Sequence, residues 1–116
     1  MDQELKLTSE LKNDCLVLTT SGYVNNSGGE KIAAEFNKHF SDGTKKIILN
    51  LADSKVVNSI GISFLIEIIE KLNESDGKLV FTNLDPAVEK TLTIMGLFNF
   101  AAKENSVEDA LKFFEQ

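Results

Sequence analysis

The spacing of apolar side chains changes period several times along the chain, and each change predicts an element. Leu5, Leu7 and Leu11 alternate in part, and Cys15 to Thr20 follow as an apolar, β-branched stretch after the polar break Lys12-Asn13-Asp14. The pattern predicts a β-hairpin. Ser27-Gly28-Gly29-Glu30 has the form of a capping box, and Ile32, Ala33, Phe36 and Phe40 recur at spacings of three and four up to Asp42-Gly43. This predicts a first helix. Ile47, Ile48, Leu49 and Leu51 form an almost unbroken apolar run, the pattern of a strand covered on both faces, as in parallel sheets.

From Gly61 the stripe Phe64, Leu65, Ile68, Ile69, Leu72 lies opposite Glu67, Glu70, Lys71 and Glu74, an amphipathic second helix. Lys78 to Leu84 predicts another strand, and Asp85-Pro86 an N-cap with proline at the first helical position. A third helix then runs to Gly96. Phe98 to Ala102 is expected to add a short edge strand, and Ser106-Val107-Glu108-Asp109 opens a last helix carrying Ala110, Leu111, Phe113 and Phe114. The order is that of an α/β fold: one sheet of four to five strands flanked by about four helices, residues 1–116 making a single domain.

Composition fits that picture. The chain has 116 residues, 42% hydrophobic and 26% charged, enough to bury a core without a metal or disulfide. Cys15 is the only cysteine, so no disulfide closes within the chain, and a reducing cytoplasm is expected. No signal-peptide pattern and no apolar run long enough for a membrane span occurs. Twelve positive charges face eighteen negative ones, net -6, and every positive residue is lysine. Without arginine forks and with an acidic field, nucleic-acid binding and docking on anionic membranes are disfavoured. A partner protein or a small ligand is expected instead.

Catalytic and metal chemistry is poorly supplied. His39 lies on the first helix four residues after Glu35, the position of a partly exposed side chain near a carboxylate rather than a catalytic base. Cys15 opens an apolar strand, as small core residues do. Neither belongs to a ligand-spaced cluster, so no metal and no cofactor is expected. Val57-Asn58-Ser59-Ile60-Gly61 offers half of a nucleophile elbow but lacks its first glycine, and a hydrolase acting through Ser59 is the least favoured reading. Gly43-Thr44-Lys45 and Gly28-Gly29 lack the spacing of phosphate or dinucleotide loops.

The junction from Leu49 to Ser63 carries the functional interest. It joins a buried strand to a helix start, where open α/β sheets bind and where unpaired helix N–H groups are exposed. Asn58 or Ser59 is the expected N-cap, a pair that capping alone would also select.

Here the sequence resembles the STAS domains of bacterial anti-sigma factor antagonists, small cytoplasmic proteins that bind a regulatory kinase and so release a sigma factor. The resemblance rests on Ser21-Gly22-Tyr23-Val24-Asn25, Ile47-Ile48-Leu49-Asn50-Leu51, Asn58-Ser59-Ile60-Gly61-Ile62, Asp85-Pro86-Ala87-Val88, Met95-Gly96-Leu97-Phe98 and Ser106-Val107-Glu108-Asp109-Ala110-Leu111. It implies a mixed sheet flanked by helices and a kinase-fold anti-sigma factor as partner. The protein itself is expected to be non-enzymatic, a monomer or weak dimer. It also implies a phosphorylation motif, Asp-Ser-Ser/Thr-Gly, whose third residue accepts phosphate.

In this chain the motif reads Asn58-Ser59-Ile60-Gly61. Ile60 cannot be phosphorylated, and Asn25 and Asn58 replace the family's aspartates without their charge. A binding-competent antagonist, or a module not switched here, is expected, with Asn25, Asn58, Ser59, Ile60, Gly61, Ile62 and Ser63 as the partner surface and Ile60 and Ile62 as apolar anchors. Phosphorylation of Ser59 is the minority expectation, because a capping serine would have to give up its cap bond. The alternative reading is an accessory subunit of a membrane transporter of the lipid or sulfate class, or of a sensory scaffold.

Overall fold

The computed structural model describes residues 4–115. Five strands form one mixed sheet in the order β1-β2-β3-β4-β5: β1 Lys6–Lys12, β2 Cys15–Ser21, β3 Lys46–Asp53, β4 Lys78–Thr82 and β5 Ala102–Glu104. β1 runs antiparallel to β2 in unbroken register from Lys6↔Ser21 to Lys12↔Cys15, and every other neighbouring pair is parallel. Asn13 and Asp14 both take positive φ (51° and 70°), the two-residue turn whose twist suits a hairpin and which asparagine and aspartate tolerate.

Four helices complete the fold: α1 Asn26–Phe40, α2 Ser59–Glu74, α3 Pro86–Ile94 and α4 Val107–Phe114. The alternation of side chains along each strand assigns them to two faces. Leu16, Leu18, Ile47, Leu49, Leu51, Leu79 and Phe81 point into the main core, with Ile32 and Phe36 of α1, the α2 stripe, and Val88 and Leu92 of α3. Cys15, Val17, Ile48 and Val80 point the other way and are covered by Ala110 and the flanking apolar side chains of α4. The central strands are thus apolar on both sides, which is why their sequences show runs instead of alternation. Phe36 and Phe81 are fully buried, and truncating either to alanine costs about 3–5 kcal/mol.

Several boundaries differ from the sequence expectation. Helix α1 is capped by Asn25, whose side chain accepts from Gly28 N, and Ser27 lies inside the helix. β4 stops at Thr82 because Asn83 adopts φ 58°. The expected edge strand over Phe98–Ala102 is instead a 3-10 turn, Leu97–Asn99, followed by β5 at Ala102–Glu104. Gly96, at φ 84°, reverses the chain, so Leu97 is buried and Phe98 packs edge-on against Phe81 with ring centroids 5.8 Å apart. Its apolar residues serve the core, and the sheet edge is left to three later residues.

Candidate functional site

The loops leaving β2 and β3 run side by side and are laced together before their helices begin. Gly22 N donates to Asp53 O at 3.0 Å, Val24 N to Val56 O at 3.0 Å, and Asn58 N back to Val24 O at 3.1 Å. Val24 and Val57 form an isolated parallel bridge beyond the regular strands. Below this stitch, where the β2–β3 register shifts between Thr19 and Ser21, the buried hydroxyls of Thr20 and Ser54 lie 2.6 Å apart. Their bond satisfies two polar groups that the core would otherwise penalise.

Both loops then end in the same device. Asn25 Oδ1 accepts from Gly28 N at 2.8 Å and Asn58 Oδ1 from Gly61 N at 2.8 Å, each cap satisfying one orphan N–H of its helix. The glycines at these matching positions have a steric cause. A Cβ on Gly61 would sit 2.0 Å from Val24 O, and one on Gly28 would sit 2.3 Å from Tyr23 O. A bonded pair of loops and two close backbone approaches therefore fix the α1 and α2 N-termini side by side. Asn58 Nδ2 also donates to Tyr23 Oη at 3.4 Å, tying the second cap to the first loop.

The seven expected partner residues divide between surface and interior. Ser59 and Ser63 are exposed, and Ile60 is 54% exposed, an unusual position for a large apolar side chain. Asn25 and Asn58 are half-buried caps. Gly61 is buried against Val24, and Ile62 is 0% exposed. Ile62 therefore does not serve as a surface anchor. With Asn58 as the cap, α2 begins at Ser59, and Ile62 falls three residues before Leu65 and joins the buried stripe. Ser59 is not the cap either: it occupies the first helical position. Ser63 Oγ donates to Ile60 O at 2.6 Å.

Three further positions complete this surface. Val56, in the loop that leads to Ile60, is 44% exposed, while Asn26 and Ser27 are exposed on the first turn of α1. Val56 carried no sequence signal, because an apolar residue at a strand end reads as core. Between Tyr23 and Ser27, and between Val56 and Ser63, no residue is charged. Neither α1 nor α2 has an acidic residue in its first turn, in contrast to Glu89 in α3 and to Glu108 and Asp109 in α4. Two positive helix-dipole ends thus meet an uncharged patch without a carboxylate to offset them.

Reactive side chains lie elsewhere. His39 Nε2 is 3.1 Å from Glu35 Oε2 on α1. The Ser9 hydroxyl, donating to Glu35 at 2.6 Å, holds that carboxyl below its ordinary value, with His39 contributing. Cys15 is buried beneath α4, and burial pushes its thiol up. Among the described residues no three His, Cys, Asp or Glu side chains gather into a group able to hold a metal ion. A groove of about 520 Å³ lies between α2 and the turn after α3, lined by Ile66, Ile69, Glu70, Met95, Leu97 and Phe100 among others, with no serine, cysteine or histidine on its walls. No helix among the described residues is long and apolar enough to cross a membrane.

Comparison with known proteins places this architecture. The family model described as the STAS domain matches residues 6–110. A curated relative, BtrV of Bordetella bronchiseptica, described as a candidate anti-sigma factor antagonist, is 26% identical over 111 residues, covering 96% of each chain. An anti-sigma factor antagonist from Mycobacterium paratuberculosis superposes with a TM-score of 0.88 at 17% identity, over 100% of this chain and 98% of that one. The phosphorylated form of Bacillus SpoIIAA gives 0.75 at 19% identity, over 94% and 99%. At those identities the two structures speak for the fold alone. The family match extends over nearly the whole chain, across both laced loops and all five strands: the chain belongs to the STAS domain family.

Proposed function

We propose that this domain is an anti-sigma factor antagonist that docks a kinase-fold anti-sigma factor through the laced β2–α1 and β3–α2 loops, and that it is not switched by phosphate at residue 60. The reading rests on Ile60: an isoleucine 54% exposed on the first turn of α2, where the family resemblance expects a phosphoacceptor. Val56, four residues earlier in the loop that leads to it, is 44% exposed, so the segment from Val56 to Ser63 presents two exposed apolar side chains and no charged residue. Such side chains concentrate interface energy when a partner covers them. A phosphate at this position would add nearly two negative charges and oppose burial. Isoleucine keeps the patch permanently uncharged, and the antagonist permanently competent.

The described role of Ser59 changes with the cap. As Asn58 makes the cap bond, the Ser59 hydroxyl is exposed at the first helical position and gives up no cap bond on modification. Ser59 and Ser63, the latter donating its hydroxyl to Ile60 O, are the exposed hydroxyls here, and neither stands at the acceptor position that the family resemblance expects.

The decisive experiment pairs calorimetry with intact mass, using a kinase-fold anti-sigma factor from the same organism as the binding partner. Ile60→Glu is expected to weaken binding by more than about 1.4 kcal/mol, tenfold in Kd, and incubation with ATP is expected to leave the mass unchanged. Unaltered affinity in the Glu variant sinks the docking surface. A stoichiometric gain of one phosphate, mapped to Ser59, overturns the unswitched reading.

A further inference from the structure

The two edges of the sheet are unequal. β5 is three residues long, whereas β1 runs for seven, Lys6–Lys12, without a proline or bulge, and guards its edge only by the charges of Lys6, Glu10 and Lys12. Long regular edges pair with other strands unless something prevents it. The geometry points to a second copy of this chain as the occupant: we propose that two protomers pair antiparallel through β1, about a two-fold axis at Thr8, and join their sheets into one.

Hairpin geometry decides which groups face outward. The two-residue turn Asn13-Asp14 closes on the pair Lys12↔Cys15, a hydrogen-bonded pair in such hairpins, and the ladder then alternates. Lys6, Thr8, Glu10 and Lys12 spend their backbone groups on β2. Leu7, Ser9 and Leu11 turn theirs to the open edge, so a new strand must form its hydrogen-bonded pairs with those three. That leaves only registers that differ by two residues.

Charge selects among them. With Thr8 opposite Thr8, Leu7 faces Ser9 of the second copy and Lys6 faces Glu10, twice by symmetry. A shift of two residues sets Lys6 against Lys12, a further shift sets Glu10 against Glu10, and a shift the other way sets Glu10 against Glu4. Opposite charges directly across a strand pair stabilise and like charges destabilise. Lys6 and Glu10 are exposed, and among the described residues neither has an ion-pair partner in its own chain. Leu11, 60% exposed at the end of the edge, comes to lie opposite Leu5 of the second copy.

The test needs no partner protein and is independent of the docking surface. Sedimentation equilibrium of the full chain is expected to show mass rising above 12.8 kDa as concentration increases. Lys6→Glu and Glu10→Lys should each weaken the dimer about tenfold, two attractive pairs becoming two repulsive ones. The double variant, which swaps the charges, should recover it. Thr8→Cys should form an intermolecular disulfide under mild oxidation, because directly opposed residues of a non-hydrogen-bonded pair lie about 4.5 Å apart at Cα, within disulfide reach. Glu10→Cys should not cross-link. The proposal is overturned if the protein stays at 12.8 kDa up to about 1 mM, if the double variant remains as dissociated as the single ones, or if Glu10→Cys cross-links as readily as Thr8→Cys.

Discussion

Single atoms govern the partner surface. Gly61→Ala would place a methyl 2.0 Å from the Val24 carbonyl oxygen, a backbone atom that the β2–β3 stitch holds in place. The expected cost is about 3 kcal/mol, at the upper end for forced overpacking, read as a lower urea midpoint. Gly43→Ala gives the contrast: Gly43 has open space around it and its φ of 95° is the only objection, so the loss should be about 1 kcal/mol. Asn58→Ala removes the α2 cap and should cost about 1 kcal/mol. Asn58→Asp keeps the cap and adds a carboxylate at an uncompensated helix dipole. It should gain about 0.5 kcal/mol at low salt, a gain that added salt erases if the dipole is its source.

Among the elements, α4 is the most exposed to test, because eight residues cover one whole face of the central strands. Its start is held by Ser106, which accepts from Asp109 N at 3.0 Å. Ser106→Ala should loosen the helix by about 1 kcal/mol and speed reaction of the Cys15 thiol with a disulfide reagent about fivefold, since the reagent reaches Cys15 only when α4 lifts. An unchanged rate would mean that Cys15 opens by another route. The elements also show what was legible in the chain. The α2 stripe was readable because four buried positions repeat at helical spacing, and β3 because parallel strands are apolar on both sides. The errors came where local pattern and tertiary demand part. Phe98 has the aromatic character of a strand residue, but Gly96 turns it onto Phe81. Ile62 reads as a surface anchor beside Ile60, but it stands three residues before Leu65 and so falls on the buried side of α2. The pairing of Val24 with Val57 joins distant segments and leaves no trace in either one.

For the whole molecule, the contrast lies between an acidic chain, net -6, and its uncharged patch. Repulsion between like-charged copies disfavours casual association, so any β1 pairing must draw on specific opposed charges. Acid titration offers a global readout. Glu35 is held below its ordinary value by Ser9 and His39, so the unfolded chain takes up its proton first. Its contribution to stability is complete above the ordinary value of 4.5 and disappears as pH falls through the lower native value. Cys15 runs in the opposite sense: its raised value makes its contribution complete below the ordinary 9.0, fading as pH climbs through the native value. Glu35→Gln should therefore flatten the acid limb of a stability-against-pH curve measured by urea unfolding and leave the alkaline limb alone. A parallel drop at every pH would assign Glu35 a purely packing role.

The lacing of the two loops has a last consequence. Neither loop makes this surface alone, since each is shaped by hydrogen bonds from the other and both depend on strands already paired in parallel. A synthetic peptide copying either segment would be a poor competitor, and a nascent or partly melted chain would offer a partner nothing to grip. Recognition of this kind is conformational: whatever binds here reads a finished molecule, and counts only the copies that have folded.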